Sequence, residues 1–174
     1  MWSSEPGPTR RRLLGVIAAC WAVAGCGLRP LYGGSEGASL GARLAAIEVR
    51  APNDRLGYVV RRELLDALNP SGLAVPGAYD LVVRLQRSVS SLIVQLNDDT
   101  TRFDLVLAAF YELRRKSDGA VVYRSAARRA ASFNQRESPF ATRISQRNAE
   151  ERAARELAQF IRTQLALHLD GAAA

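Results

Sequence analysis

The chain has 174 residues, 48% of them hydrophobic, which fits one domain with a real core. It carries 24 basic against 17 acidic residues, and because Lys116 is the only lysine the positive charge is almost all arginine. One histidine and two cysteines leave a histidine-based triad, a zinc site and a disulfide framework short of parts; the net charge of +7 favours an anionic partner, nucleic acid or membrane-lipid phosphate.

The amino terminus reads as an address. Arg10, Arg11 and Arg12 precede the uncharged run Leu13 to Gly25. Thirteen helical residues rise about 20 Å, short of the roughly 30 Å of a bilayer core, so the run reads as a secretory signal rather than a span. Val23, Ala24, Gly25 and Cys26 match a lipobox: an aliphatic residue and two small ones before a cysteine whose thiol can take a diacylglyceryl group. An ordinary cleavage site that happens to include Cys26 is the alternative. On the lipobox reading residues 1–25 are removed, with three arginines and Glu5, which takes the net charge from +7 to about +5. Cys20 leaves with them, and Cys26 is capped by lipid. Each buried methylene contributes about 0.8 kcal/mol, so the acyl chains hold the protein on a membrane facing the periplasm. That compartment holds no nucleic acid, which removes nucleic acid from the partners.

Residues 26–42 then read as the lipidated cysteine and a tether rich in Gly and Ser. A single domain over 43–170 follows, with a frayed tail at 171–174. "RLAAIEVR", from Arg43, alternates weakly and predicts a short first strand. Asn53 or Asp54 can cap a helix that Asn69-Pro70 stops, with Leu56, Val59, Val60, Leu64 and Leu68 on one face and Arg61, Arg62 and Asp66 largely off it. From Tyr79 the period changes to two: Tyr79, Leu81, Val83, Leu85 and Val89 face one way, in a strand that can run on through "SSLIVQL". "NDD", Asn97 to Asp99, supplies a turn. Phe103, Leu105, Leu107, Ala109, Tyr111 and Leu113 form one face of the next strand; Arg102, Asp104, Glu112 and Arg114 form the other. "KSDG", Lys116 to Gly119, is a hairpin signal, and a strand returns from Val121 toward Phe133. The last element is a helix over about 141–169, striped by Ala149, Ala153, Leu157, Phe160, Ile161 and Leu165, with Glu151 and Arg155 four apart in the favourable order. The order β-α-β-β-β-α predicts an α+β two-layer sandwich: two helices on one face of a four-stranded, mostly antiparallel sheet.

Catalytic chemistry is sparse. His168 sits near the end of the last helix, where it suits the dipole. No Walker loop or dinucleotide glycine fingerprint is present, and "NDD" with Asp104 lacks the spacing of a calcium loop. No cofactor or metal is expected. Arginine is what remains. Arg114, Arg115 and Lys116 cluster at the hairpin, Arg124, Arg128, Arg129 and Arg136 follow, and Arg84 and Arg87 lie on the first meander strand. Guanidinium forks grip phosphates bidentately. The cluster is compatible with a lipid-phosphate patch, a solvated face or a contact with an acidic protein partner, and a GC-rich genome would favour arginine by itself.

The lipobox followed by "GLRPLYG", Gly27 to Gly33, together with "RR-x-L" at Arg61 to Leu64 and "VYRS" at Val122 to Ser125, resembles the LptE family of outer-membrane lipopolysaccharide-assembly lipoproteins, in its alphaproteobacterial form. The resemblance covers nearly the whole chain after Cys26. It implies two helices on a four-stranded sheet and a non-catalytic role: plugging the LptD β-barrel, assisting its assembly and helping move lipopolysaccharide to the cell surface. It also implies lipopolysaccharide binding through basic residues. Arg114, Arg115, Lys116, Arg124, Arg128 and Arg129 are the candidates by position. An auxiliary lipoprotein of an ABC-type lipid transporter is the alternative; its usual alternation of strands and helices fits three consecutive strands less well. A carboxylate-dependent periplasmic hydrolase is a third reading, weakened by the shortage of histidine and cysteine.

Overall fold

The structure, a computed structural model, describes residues 34–92, 102–135 and 138–171. In chain order the elements are α1 (Gly34–Ala45), β1 (Ile47–Arg50), α2 (Arg55–Leu68), β2 (Tyr79–Leu92), β3 (Arg102–Arg115), β4 (Val121–Asn134) and α3 (Pro139–Gly171). The four strands form one sheet in the order β1-β2-β3-β4, with β1 parallel to β2 and the other pairs antiparallel. The α+β sandwich expected from the pattern is present, with one helix more.

That extra helix, α1, lies partly where the composition suggested tether. Leu40 and Leu44, four apart, bury one face against the core, so the helix gains an apolar contact that Gly and Ser content does not reveal. Because α1 runs to Ala45, the first strand begins at Ile47 rather than near Arg43. Ile47 and Val49 then point inward, Glu48 and Arg50 outward. β1 is only four residues long, and Pro52, which lacks an N–H, follows it closely.

The α2 helix starts as its punctuation predicts. The Asp54 carboxylate accepts a hydrogen bond from the Gly57 N–H at 2.6 Å. Gly57 cannot carry a side chain here, since a Cβ would lie 2.0 Å from the Pro52 carbonyl oxygen. Val59, Val60, Leu64 and Leu68 are buried as expected, and Ala67 joins them. At the other end of the sheet Gly119 takes φ +70° to close the turn between β3 and β4. The Ala120 N–H donates to Asp118 Oδ1 at 3.1 Å.

The α3 helix extends two residues beyond each expected end. Pro139 serves as a first-turn residue, and the Thr142 N–H donates to the Ser138 carbonyl at 3.0 Å. Ala149, Ala153, Ala154, Ala158 and Ala166 are fully buried and bring the helix backbone close to the sheet. Between them Leu157, Ile161 and Leu165 share one buried core with Leu81, Leu105, Leu107, Tyr111 and Leu113. Each such side chain contributes about 1.5–3 kcal/mol when buried. Arg155, which the spacing pairs with Glu151, instead reaches Glu63 of α2 at 3.4 Å. The signal segment, Cys26, Asn97 to Asp99 and Arg136 lie outside the described residues, as does any continuation of β2 through Leu96.

Candidate functional site

The helices cover one face of the sheet and leave the other open. Strand pairing sorts the side chains. Leu81 opposes Leu113 and Val83 opposes Tyr111 on the covered face; Val82 opposes Glu112 and Arg84 opposes Phe110 on the open one. On β4, Arg124 stands opposite Glu112 and Arg128 opposite Ala108, again on the open face.

Glu112 organises this face. Its side chain is 8% exposed and meets three guanidinium groups: Arg114 Nη2 at 2.8 Å, Arg124 Nε at 3.0 Å and Arg84 Nη2 at 3.3 Å. Three strands therefore each contribute a cation to one carboxylate. The hydrogen bond from Arg114, aided by the charges of Arg124, Arg114 and Arg84, holds the Glu112 carboxyl below its ordinary pKa, against the opposing effect of desolvation. Three positive charges share one negative charge, so the cluster keeps an excess of cation. Its heads remain in water: Arg84 and Arg124 are 75% and 69% exposed. Beside them a shallow concavity of about 650 Å³ is lined by Phe110, Tyr111, Ser125 and Ala126 together with Arg84, Glu112 and Arg124. Phe110 is half exposed. Guanidinium donors next to an aromatic ring suit an anionic group attached to an apolar body.

The six basic candidates separate. Arg114 and Arg124 belong to the Glu112 cluster, and Arg128 is exposed on the same face. Arg115 turns to Asp118 in the hairpin at 2.9 Å. Lys116 pairs with Glu48 of β1 and lies 3.9 Å from Asp80 of β2, tying the edge of the sheet. Arg129 points to the covered face, where its guanidinium sits 4.1 Å above the Phe160 ring. Adjacent residues in a strand face opposite ways, so the paired arginines at 128 and 129 cannot share a site.

Arg84 joins the cluster although it stood outside those six. The alternation that sets Leu81, Val83 and Leu85 inward also sets Arg84 outward, on the face of Glu112 and Arg114, but only the register brings them together. The Arg87 side chain takes the covered side and meets Glu150 of α3 at 2.6 Å. Glu150 also pairs with Arg55 of α2 and accepts from Gln146 Nε2 at 3.2 Å. This buried carboxylate links three elements and was not visible as a site in the helical stripe.

His168 stacks on Tyr123 at 4.6 Å, and Tyr123 in turn leans on Tyr111 at 6.2 Å. Burial pushes the Tyr111 hydroxyl above its ordinary pKa. Among the described residues no group of three or more His, Cys, Asp or Glu side chains is arranged to hold a metal ion. No helix among them is long and apolar enough to cross a membrane.

The profile of the family described as "LptE: Lipopolysaccharide-assembly" matches residues 44–165. The chain belongs to the LptE family. Its fold is similar to a crystal structure from Caulobacter crescentus CB15 provisionally named a lipoprotein, with 28% identity over 77% of this chain and 98% of that one, at a TM-score of 0.64. It also shares its fold with a minor lipoprotein from Acinetobacter baumannii, with 16% identity over 70% of this chain and 91% of that one, at a TM-score of 0.53. No curated protein sequence matches the chain. In this LptE domain the profile spans β1 to most of α3, and therefore all three strands that meet at Glu112.

Proposed function

We propose that this LptE-family chain is a lipid-anchored subunit of the outer membrane that faces the periplasm. It seats in an LptD-type β-barrel, assists the assembly of that barrel, and helps transfer lipopolysaccharide to the cell surface without catalysis. The match to the lipopolysaccharide-assembly family over residues 44–165 carries the reading. The open sheet face supports it, because a plug works through surface complementarity and this face offers excess cation beside exposed apolar surface. Arg114, Arg124 and Arg128, with Arg84, are the residues that would meet lipopolysaccharide phosphates; Arg115, Lys116 and Arg129 have internal partners instead. Lipid on Cys26 would supply the anchor.

The test is affinity purification of the tagged, lipidated protein from solubilised outer membranes, with mass spectrometry of its companions. A large β-barrel in near-equal amount is expected. Recovery of an inner-membrane ATPase complex would transfer the chain to the ABC-transporter reading, and normal display of surface lipopolysaccharide after depletion would sink the transport role. Cys26→Ala is expected to leave the fold intact and release the protein from membranes. Retention after a salt wash would mean that lipid is not the main anchor.

A further inference from the structure

The sheet has two long edges that no strand closes among the described residues: the outer side of β4, which carries Arg124, Arg128 and Arg129, and the side of β2 beyond β1. β2 is 14 residues long, but β1 pairs only with Tyr79 to Val82. Pro52 stands two residues beyond the end of β1, and the chain then turns away into α2. Among the described residues no strand pairs with β2 on that side from Val83 to Leu92. Ten residues of regular strand extend about 33 Å and present a row of free N–H and C=O groups.

The usual protections of such an edge are thin here. Proteins blunt free edges with charge, proline, bulges or a covering element. The pairing of β2 with β3 is regular from Tyr79 to Leu92, with no bulge. From Ser88 to Leu92 the sequence is Ser-Val-Ser-Ser-Leu, without charge or proline. Helix α3 lies over β3 and β4, and Ser88, Val89, Ser90 and Ser91 are exposed. Charge occurs only toward the other end, at Arg84 and Arg87.

We propose that the β2 edge from Val83 to Leu92 is a strand-addition site, and that its occupant is an extended segment of the β-barrel subunit carrying a carboxylate that faces Arg84. Main-chain hydrogen bonds would supply the affinity, as in other β-augmentation contacts, and side-chain pockets the register. The charge argument selects the carboxylate: Arg84 is 75% exposed and shares Glu112 with two other arginines, so a further anion is favoured beside it. The same charge disfavours a second copy of this chain. The stretch from Val83 to Leu92 contains no Asp or Glu, so a second copy paired there would bring more arginine and no carboxylate. The inference takes its occupant from the barrel reading, and the test separates the two.

The experiment is hydrogen–deuterium exchange on the purified complex of the lipidated chain with the barrel, compared with the chain alone. The amides that point to the free edge, alternate residues between 84 and 91, are expected to exchange at least about tenfold more slowly in the complex, as new ladder bonds form. Adjacent strand residues direct their N–H groups to opposite edges. Of Val89→Pro and Ser90→Pro, one therefore strikes the free edge and the other the ladder to β3. The variant that keeps wild-type thermal stability is the edge variant, and it is expected to lose the protection and about tenfold in barrel affinity. A complex that forms with unchanged exchange over 84–91 overturns strand addition and leaves the barrel reading standing. If no barrel co-purifies, that reading falls and this occupant with it. Protection already present in the isolated chain, with the mass of a dimer, overturns the proposal in favour of a second copy.

Discussion

Glu150 and Glu112 each gather arginines, one on each side of the sheet, and they come to different ends. On the covered side Glu150 is enclosed between α3, α2 and β2, with its side chain 1% exposed, and Arg55 and Arg87 reach in to it. On the open side Glu112 sits at the base of three guanidinium groups whose heads stay in water. The residue types are the same and the burial differs. An enclosed carboxylate with two cations becomes a clamp between elements. A carboxylate under three cations, with solvent above, leaves positive charge for a ligand. An arginine count alone does not tell binding surface from scaffold; the face and the register do.

Removing the clamp should cost the most stability. In the Arg55→Ala/Arg87→Ala double variant Glu150 would remain buried beside Gln146, without a cation from α2 or β2. Loss of the partners of a buried charge costs about 3–5 kcal/mol. Chemical denaturation should show that loss as a lower midpoint with little change in slope. Replacing Glu150 with Leu as well should recover much of the stability, because an apolar isostere removes the stranded charge. No recovery would mean that the ion pairs contribute more than they cost in desolvation.

The open side should respond in binding rather than in stability. Arg114→Glu with Arg124→Glu is expected to weaken lipopolysaccharide binding about tenfold or more at fixed ionic strength, since charge-assisted hydrogen bonds contribute about 1.5–3 kcal/mol each. Arg115→Ala should leave binding unchanged, because that side chain is engaged by Asp118. Equal effects of the two changes would return the whole cluster to a solvated face.

The difference between these arginines marks the limit of what the sequence makes legible. Periodicity exposes Val59, Val60 and Leu64 on α2, the inward set on β3 and the stripe of α3, because burial repeats with the geometry of each element. Adjacent Arg128 and Arg129 can be assigned to opposite faces by the same rule. The meeting of Arg84, Glu112 and Arg124 cannot, since it depends on the pairing register of two hairpins. Glu150 escapes for a related reason: it adjoins Ala149 in the buried stripe and looks like a flanking charge until α2 and β2 close over it. Helix α1 is hidden because Leu40 lies within a Gly-rich and Ser-rich segment and Leu44 within a stretch that alternates like a strand.

Acid should separate the two sides a second time. The Glu112 carboxyl is held below its ordinary value of 4.5, first by the Arg114 hydrogen bond. The stability it lends is therefore complete above that value and is lost as pH falls through the lowered one. Glu112→Gln should remove this part of the acid sensitivity, and should tighten anion binding at neutral pH a few-fold by uncovering the arginines. A variant with the same acid profile as the wild type would show that other carboxylates control acid unfolding.

The smallest effect tests whether an arginine on the covered side matters once it has no carboxylate. Arg129 places its guanidinium 4.1 Å above Phe160, and its Nη1 donates to the Arg128 carbonyl at 2.7 Å. Contacts of this kind contribute about 0.5–1 kcal/mol at partly exposed sites. Arg129→Ala should therefore lower the unfolding midpoint slightly and leave lipopolysaccharide binding untouched. Arg129→Lys should restore only part of the loss, because an ammonium lacks the flat face that stacks on the ring. If Arg129→Ala instead weakened binding as strongly as the Arg114/Arg124 reversal, the anion surface would have to reach around the edge of the sheet, and burial alone would no longer separate scaffold from site.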